Sequence, residues 1–202
     1  MSPSKARLAV AGTASAVLVL LGSAGTADAR PVATPAAVAG AAPSYATWIA
    51  DVTAVTTPAA DYLTQRLAGP GGKNAIVLDI DNTSLETYYH GGFTTPAVQP
   101  VLALARLAKA KGAAVFFVSD RTEVIRWPTE GNLKAVGYPN DGLSLRPLFN
   151  FDPVQTNKTK ARAAIEQAGY TIVANIGNNV TDLDGGHAER TFKLPDYDGA
   201  LS

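Results

Sequence analysis

The segment AIVLDIDNT, residues 75–83, joins an unbroken apolar run to a polar run that begins at Asp79. A glycine- and proline-rich stretch at 69–72 precedes it and marks a clear stop in the chain. A short apolar run bounded in this way is typical of a strand buried on both faces of a parallel sheet. The segment therefore predicts a central strand whose carboxyl end carries two acidic residues, Asp79 and Asp81.

Further apolar runs repeat this pattern along the chain, at 113–118, at 171–176 and, more briefly, at 143–145. Helical patterns lie between them, over about 96–112 and about 156–168. Strands that alternate with helices of this length indicate crossover connections and a parallel sheet covered on both faces. We therefore predict an α/β fold built on a three-layer, doubly wound, Rossmann-like parallel sheet.

Residues 1–29 have the composition of a secretory signal peptide. Lys5 and Arg7 precede an apolar stretch at 8–21, and small residues at 27–29 form a cleavage site. We expect removal of this segment, a secreted or extracellular protein, and no stable membrane association after cleavage. An uncleaved membrane anchor is the alternative, but the apolar stretch is barely long enough to span a bilayer.

The rest of the chain reads as one domain, 44–202, after a flexible, alanine- and proline-rich lead-in at 30–43. The first part of this domain predicts one or two helices up to about residue 68. Ser44 suits the N-cap, and Pro58 is expected to break the helical run.

Charge and cysteine content exclude several classes of protein. The chain has 202 residues, with 17 basic and 17 acidic side chains and no cysteine. Cleavage after residue 29 leaves 15 basic and 16 acidic side chains, a net charge of −1. A non-specific nucleic-acid binder needs a basic surface, so we expect no nucleic-acid polymer as partner. Disulfide bonds and attachment through a lipidated cysteine are excluded.

Polar residues cluster where three of the predicted strands end, and Lys158 lies near the start of the helical pattern at about 156–168. In doubly wound sheets, ligands bind at the carboxyl ends of the strands, so we expect these side chains to converge. A carboxylate that directly follows a buried strand needs compensation, and a divalent cation provides it. An ordinary polar turn is the alternative for the first run taken alone. The residues concerned are Asp79, Asp81, Ser119, Asp120, Arg121, Lys158, Asn178 and Asp182.

Four motifs in this order resemble those of the haloacid dehalogenase (HAD) superfamily: D-x-D-x-T at 79–83, Ser119 at a strand end, Lys158, and G-N-x-x-x-D at 177–182. The chain is most similar to the secreted acid phosphatases of subfamily IIIB, the class B-like group that includes plant vegetative storage proteins. The similarity extends over roughly residues 48–183. It implies a HAD-like fold, and the short 84–95 segment predicts a minimal cap.

The resemblance implies that Asp79 attacks phosphorus and that Asp81 serves as general acid and base. Because Asp79 lies beside it, we expect the pKa of Asp81 to be raised, which predicts an acidic pH optimum. The implied substrate is a small phosphomonoester and the implied cofactor is Mg²⁺. Implied substrate contacts are Thr83, Ser119, Asp120, Arg121 and Lys158, and implied metal contacts are Asp79, Asp81 through its carbonyl, Asn178, and Asp182 in support.

Asn178 departs from the family pattern, in which an aspartate is usual at this position. The loss of one negative charge predicts weaker metal binding, or compensation by Asp182. Lys160 is the alternative to Lys158 as the phosphate-binding lysine. The competing functions are a catalytically weak or inactive binding or storage protein with the same fold, and a phosphotransferase that passes phosphate to an alcohol.

Overall fold

The computed structural model describes residues 41–69 and 71–201, so the expected signal peptide at 1–29 and most of the lead-in lie outside the described residues. Within these ranges the strands form one parallel sheet in the order β3-β2-β1-β4-β5. This confirms the predicted α/β class. The strands are β1 Asn74–Leu78, β2 Ala114–Thr122, β3 Gly142–Arg146, β4 Thr171–Gly177 and β5 Thr191–Lys193.

Helices connect the strands and cover the sheet. They are α1 Tyr45–Arg66, α2 Thr87–His90, α3 Gln99–Ala110, α4 Arg126–Ala135, α5 Val154–Gln167 and α6 Val180–Leu183, with a 3₁₀ turn at Glu123–Ile125. None of the helices in the described ranges combines the length and hydropathy that a bilayer crossing requires.

The alternating side chains of β1 pack into two separate clusters, one on each face of the sheet. Ile76 and Leu78 join the large cluster under α1 and α3. Ala75 and Val77 point the other way and pack with Ile165 of α5. A side chain fully removed from water in this way contributes about 1.5–3 kcal/mol for a large aliphatic residue. Burial on both faces explains the unbroken apolar run and gives the three layers.

The prediction that Pro58 breaks the first helix is wrong. Ser44 caps α1 as expected, its Oγ accepting from the Thr47 N–H at 3.2 Å, but the helix then continues through Pro58. Pro58 is exposed, whereas Val52 and Ala59 are buried in the large cluster. Packing of this apolar face outweighs the cost of about 3 kcal/mol for an interior proline.

The connection between β1 and α3 is short, as the minimal cap predicts. It contains the four-residue helix α2, an isolated parallel bridge between Asp81 and Leu85, and an isolated antiparallel bridge between Leu85 and Ala97. Leu85 and Ala97 are buried. The Leu85 carbonyl accepts from the Asn82 N–H at 2.8 Å, which closes the turn after β1. The carboxyl end of the sheet therefore remains open above Asp79.

Candidate active site

Three buried charged side chains meet at the carboxyl end of the sheet. Lys158 Nζ on α5 lies 2.7 Å from Asp79 Oδ1, at the end of β1, and 2.5 Å from Asp182 Oδ1 on α6. Burial works against the charged form of Lys158, but the two carboxylates outweigh it and raise its pKa. Lys160 instead pairs with Asp152 at 2.8 Å and is largely exposed. The geometry therefore places Lys158, and not Lys160, in the cluster.

Asp79 is a buried carboxyl group whose surroundings shift its pKa. Burial raises its pKa to about 6, Lys158 opposes this shift, and the negative charges of Asp182 and Asp81 add to it. Oδ1 accepts from Lys158, whereas no described residue donates a hydrogen bond to Oδ2. Oδ2 of Asp79 is thus available to a ligand.

Asp81 is held by Arg121 in a bidentate ion pair. The distances are 2.9 Å from Nε to Oδ2 and 2.7 Å from Nη2 to Oδ1, and the Thr87 hydroxyl donates to Oδ1 at 2.7 Å. Burial favours the neutral acid, but these contacts outweigh it and lower the pKa of Asp81. The prediction of a raised pKa at Asp81 is therefore wrong for this arrangement, because it ignored Arg121.

A cavity of 370 Å³ collects most of the residues that the sequence singled out. β2 does not end at Val118 but continues to Thr122, with an irregular register against β3 between these residues. Ser119 Oγ accepts from the Arg121 N–H at 3.3 Å. The predicted residues that line the cavity are Asp79, Asp81, Ser119, Asp120, Arg121, Lys158 and Asn178.

Thr83 does not line this cavity, which corrects its predicted role in contacting substrate. The residue is fully buried. Its hydroxyl donates to Asn178 Oδ1 at 3.1 Å and accepts from the Asn178 N–H at 3.0 Å. Thr83 therefore holds the Asn178 backbone and side chain in place from behind.

Leu201 is a residue of the site that sequence reasoning missed. Its backbone carbonyl accepts from Asn82 Nδ2 at 2.8 Å and from Asn178 Nδ2 at 2.9 Å, and the residue lines the cavity. These two contacts join the turn after β1 to the turn after β4. A backbone carbonyl leaves no signal in a sequence pattern, so only the tertiary structure could identify this contact.

Both carboxylate oxygens of Asp182 accept hydrogen bonds from the protein. Oδ1 accepts from Lys158, and Oδ2 accepts from the Asn179 N–H at 2.8 Å as part of a capping box on α6. Its support of a metal ion stays a prediction, and in this structure the Asp182 carboxylate holds the Lys158 ammonium. The Cβ, Cγ and Oδ2 atoms of Asp182 also lie close to Gly177, and a Cβ added at residue 177 would meet Asp182 Cβ at 2.4 Å. A glycine at 177 is therefore required for this approach.

The oxygen atoms that remain suit a magnesium ion. No group of three or more His, Cys, Asp or Glu side chains in the described part of the chain is arranged to hold a metal. Asp79, the Asp81 carbonyl and the Asn178 amide oxygen would instead provide a mixed set of hard oxygen donors. Mg²⁺ prefers such donors, commonly takes only one or two carboxylates, and retains several waters. The residues therefore fit the ion that the family resemblance implies.

Comparison with known families settles the relationship. The family model for HAD superfamily, subfamily IIIB (acid phosphatase) matches residues 92–200. The chain belongs to this family. The matched range contains Ser119, Lys158 and Asn178, whereas Asp79 and Asp81 precede it.

Individual relatives match this chain over part of their length and at moderate sequence identity. The stem 28 kDa glycoprotein of Glycine max is 36% identical over 121 residues, which cover 56% of this chain and 47% of the relative. Acid phosphatase 1 of Solanum lycopersicum is 27% identical over 168 residues, covering 72% of this chain and 66% of the relative. This subfamily IIIB chain thus spans about half the length of the stem glycoproteins.

The fold itself is shared with a solved structure. The class C acid phosphatase from Bacillus anthracis superimposes with a TM-score of 0.63 at 20% identity, covering 78% of this chain and 83% of that protein. This likeness supports a HAD-like fold for the subfamily IIIB chain.

Proposed function

We propose that this chain is a phosphomonoesterase that transfers a phosphoryl group to Asp79 and then to water. The observation that carries the proposal is the buried Asp79–Lys158–Asp182 cluster, in which Asp79 and Lys158 line the cavity. Buried charges are expensive to retain, and a cluster of this kind in a cleft is typical of a functional site. Membership of an acid phosphatase subfamily points to the same chemistry.

In the first step, an oxygen of Asp79 forms a bond to phosphorus while the bond from phosphorus to the alcohol oxygen breaks. The departing alkoxide takes a proton from Asp81. The Ser119 hydroxyl and the Asp120 N–H donate to phosphoryl oxygens, and Lys158 offsets their charge. In the second step, Asp81 removes a proton from water, which attacks phosphorus and releases inorganic phosphate and the Asp79 carboxylate.

Arg121 links substrate binding to the protonation state of Asp81. Its two hydrogen bonds to Asp81 favour the carboxylate, which suits the second step but not the proton donation in the first. Phosphoryl oxygens carry more charge than a carboxylate and compete for the same guanidinium. We propose that bound substrate draws Arg121 away and leaves Asp81 able to hold the proton that it donates.

A bound Mg²⁺ would neutralise charge on the phosphoryl group and on Asp79. Asp79, the Asp81 carbonyl and Asn178 would hold it, whereas Asp182 keeps Lys158 in position. The protein groups would then meet the substrate with fixed geometry, which is the main requirement in phosphoryl transfer. We also propose that the protein is exported, on the basis of the signal-like residues 1–29.

The decisive test is hydrolysis of para-nitrophenyl phosphate by the wild-type protein and by Asp79→Asn. We expect Asp79→Asn to lower kcat about a thousandfold or more, because the nucleophile is lost. A chelator should abolish wild-type turnover and added Mg²⁺ should restore it. Asp61→Asn, an exposed aspartate on α1, is the matched control and should retain full activity.

A storage or binding protein is the second candidate, because vegetative storage protein 1 of Arabidopsis thaliana is 33% identical over 119 residues. A folded wild-type protein that shows no turnover with Mg²⁺ would favour this candidate. Equal rates for wild type and Asp79→Asn would also reject the covalent mechanism.

A further inference from the structure

A second cavity of 280 Å³ adjoins the candidate active site. The two cavities share Ser119 and Lys158 as a common wall. The second cavity extends away from this wall between the end of β3 and the first half of α5. A ligand whose phosphate lies at Ser119 and Lys158 would therefore have a place for the rest of the molecule on that side.

The lining of this second cavity is basic. It contains the side chains of Arg146, Lys158 and Lys160 and no carboxylate. Lys158 is neutralised by the carboxylates below it, and Lys160 pairs with Asp152 at 2.8 Å outside the lining. Among the basic side chains of this lining, Arg146 thus donates the fewest hydrogen bonds to described residues.

The Arg146 guanidinium has a charge partner but no hydrogen bond to any described residue. Its Nε lies 3.5 Å from Asp120 Oδ1, and both atoms are buried without a hydrogen-bond partner in the described part of the chain. Arg121 and Arg126, in contrast, each donate several hydrogen bonds to neighbouring groups. Asp120 therefore orients Arg146 without occupying the donors on its two terminal nitrogens.

We propose that the second cavity binds a further anionic group on the alcohol part of the substrate, a carboxylate or a second phosphate, through Arg146. The planar guanidinium can donate two parallel hydrogen bonds to either group, and the Ser144 hydroxyl lies in the same wall. The inference rests on the proposed function, because it takes the phosphate position at Ser119 and Lys158 from it.

Binding without turnover tests this subsite. The Asp79→Asn protein with Mg²⁺ would be titrated calorimetrically with two pairs of ligands that differ by one anionic group. The pairs are 3-phosphoglycerate against glycerol 3-phosphate, and fructose 1,6-bisphosphate against fructose 6-phosphate. We expect the ligand with the additional anion to bind about tenfold more tightly in at least one pair, since charge-assisted hydrogen bonds have this strength.

Adding Arg146→Gln should reduce that preference to less than threefold, whereas Arg190→Gln should leave it unchanged. Arg190 is an exposed arginine that stacks on Tyr62 and Phe192 and provides a matched loss of charge. Arg146→Lys, which keeps the charge but not the bidentate geometry, should give an intermediate preference and replaces Arg146→Gln should the latter fail to fold.

Equal affinities within both pairs, or a preference that survives both Arg146 substitutions, would overturn the subsite. The proposed function is judged separately, by wild-type turnover of para-nitrophenyl phosphate. A wild type that does not turn over this ester still yields the binding comparison, so the two failures are distinguishable.

Discussion

The family resemblance predicts an aspartate where this chain has Asn178, and the structure gives the amide a specific use. Nδ2 donates to the Leu201 carbonyl, and Oδ1 faces the Thr83 hydroxyl. An aspartate at this position would place a carboxylate oxygen against the Leu201 carbonyl, where neither atom has a proton to donate. The amide therefore matches the backbone that packs against it.

We predict opposite effects of Asn178→Asp on stability and on metal binding. Loss of the buried N–H donor should cost about 1–3 kcal/mol, which for a chain of this size lowers Tm by several degrees. The added negative charge should tighten Mg²⁺ binding about tenfold, because charge near a divalent ion acts strongly at short range. Differential scanning calorimetry without metal and calorimetric Mg²⁺ titration measure the two effects.

Asn82→Asp is the matched control for this prediction. It removes the other amide donor to Leu201 but lies outside the cavity lining. It should lower Tm by a similar amount and tighten Mg²⁺ binding less than Asn178→Asp does, because residue 82 lies outside the cavity lining. Unchanged Mg²⁺ affinity in Asn178→Asp would mean that the side chain at 178 is not a metal ligand.

The sequence predicts which residues reach the site better than it predicts what each of them touches. Asp79 and Ser119 were identified because the carboxyl ends of parallel strands share one edge of the sheet, and Lys158 was identified through the family resemblance. The Arg121–Asp81 pair depends on two side-chain conformations across neighbouring strands, and a one-dimensional pattern does not contain them. The same limit applies to the contact of Thr83 with Asn178 and to that of Asp182 with Lys158.

At the scale of elements, α1 shows how packing overrides a local signal. Pro58 has no N–H to donate to the preceding turn and occupies an exposed position inside the helix. The helix persists because the buried face, which includes Trp48, Val52 and Leu63, packs on the large cluster. The apolar spacing of this face was visible in the sequence, but its strength relative to the proline was not.

Pro58→Ala should therefore stabilise the protein. Alanine restores the N–H and a favourable helix propensity, and we expect a gain of about 1–3 kcal/mol. Urea denaturation measures this as a higher midpoint with an unchanged m-value. Pro100→Ala is the control, because Pro100 lies in the first turn of α3, where proline is tolerated, and should change little. A lower midpoint for Pro58→Ala would show that the proline stabilises α1 by limiting the unfolded chain.

At the end of β2, the hydrophobic pattern predicts a strand that is too short. The apolar run stops at Val118, but the strand continues through Ser119, Asp120 and Arg121 because Thr122 pairs with Arg146 of β3. These polar residues remain in the strand because they face the cavities and not the core. Hydrophobic periodicity therefore predicts the buried part of a strand and underestimates the part that contributes to a site.

At the scale of the whole molecule, the 194–201 segment connects the hydrophobic core to the site. Leu194 and Leu201 are both buried in the large cluster beneath α1 and α3. Lys193 Nζ donates to the Asn178 carbonyl at 2.5 Å, and Leu201 accepts from two asparagines of the site. Packing of this segment should therefore hold the turn that carries Asn178.

This connection predicts that two similar core substitutions differ in their effect on the site. Leu194→Ala and Leu201→Ala should each lose about 2–5 kcal/mol of unfolding free energy, because each leaves a cavity in the same cluster. Only Leu201→Ala should weaken Mg²⁺ binding and lower kcat/KM. Of these two residues, Leu201 alone lines the cavity, and its carbonyl accepts from Asn178 Nδ2. Measurements at low temperature, with the folded fraction determined by circular dichroism, separate the two effects. Equal losses of Mg²⁺ affinity in both variants would mean that the site responds to core stability in general. An unchanged Mg²⁺ affinity in Leu201→Ala would show that Asn178 is held in place without this segment.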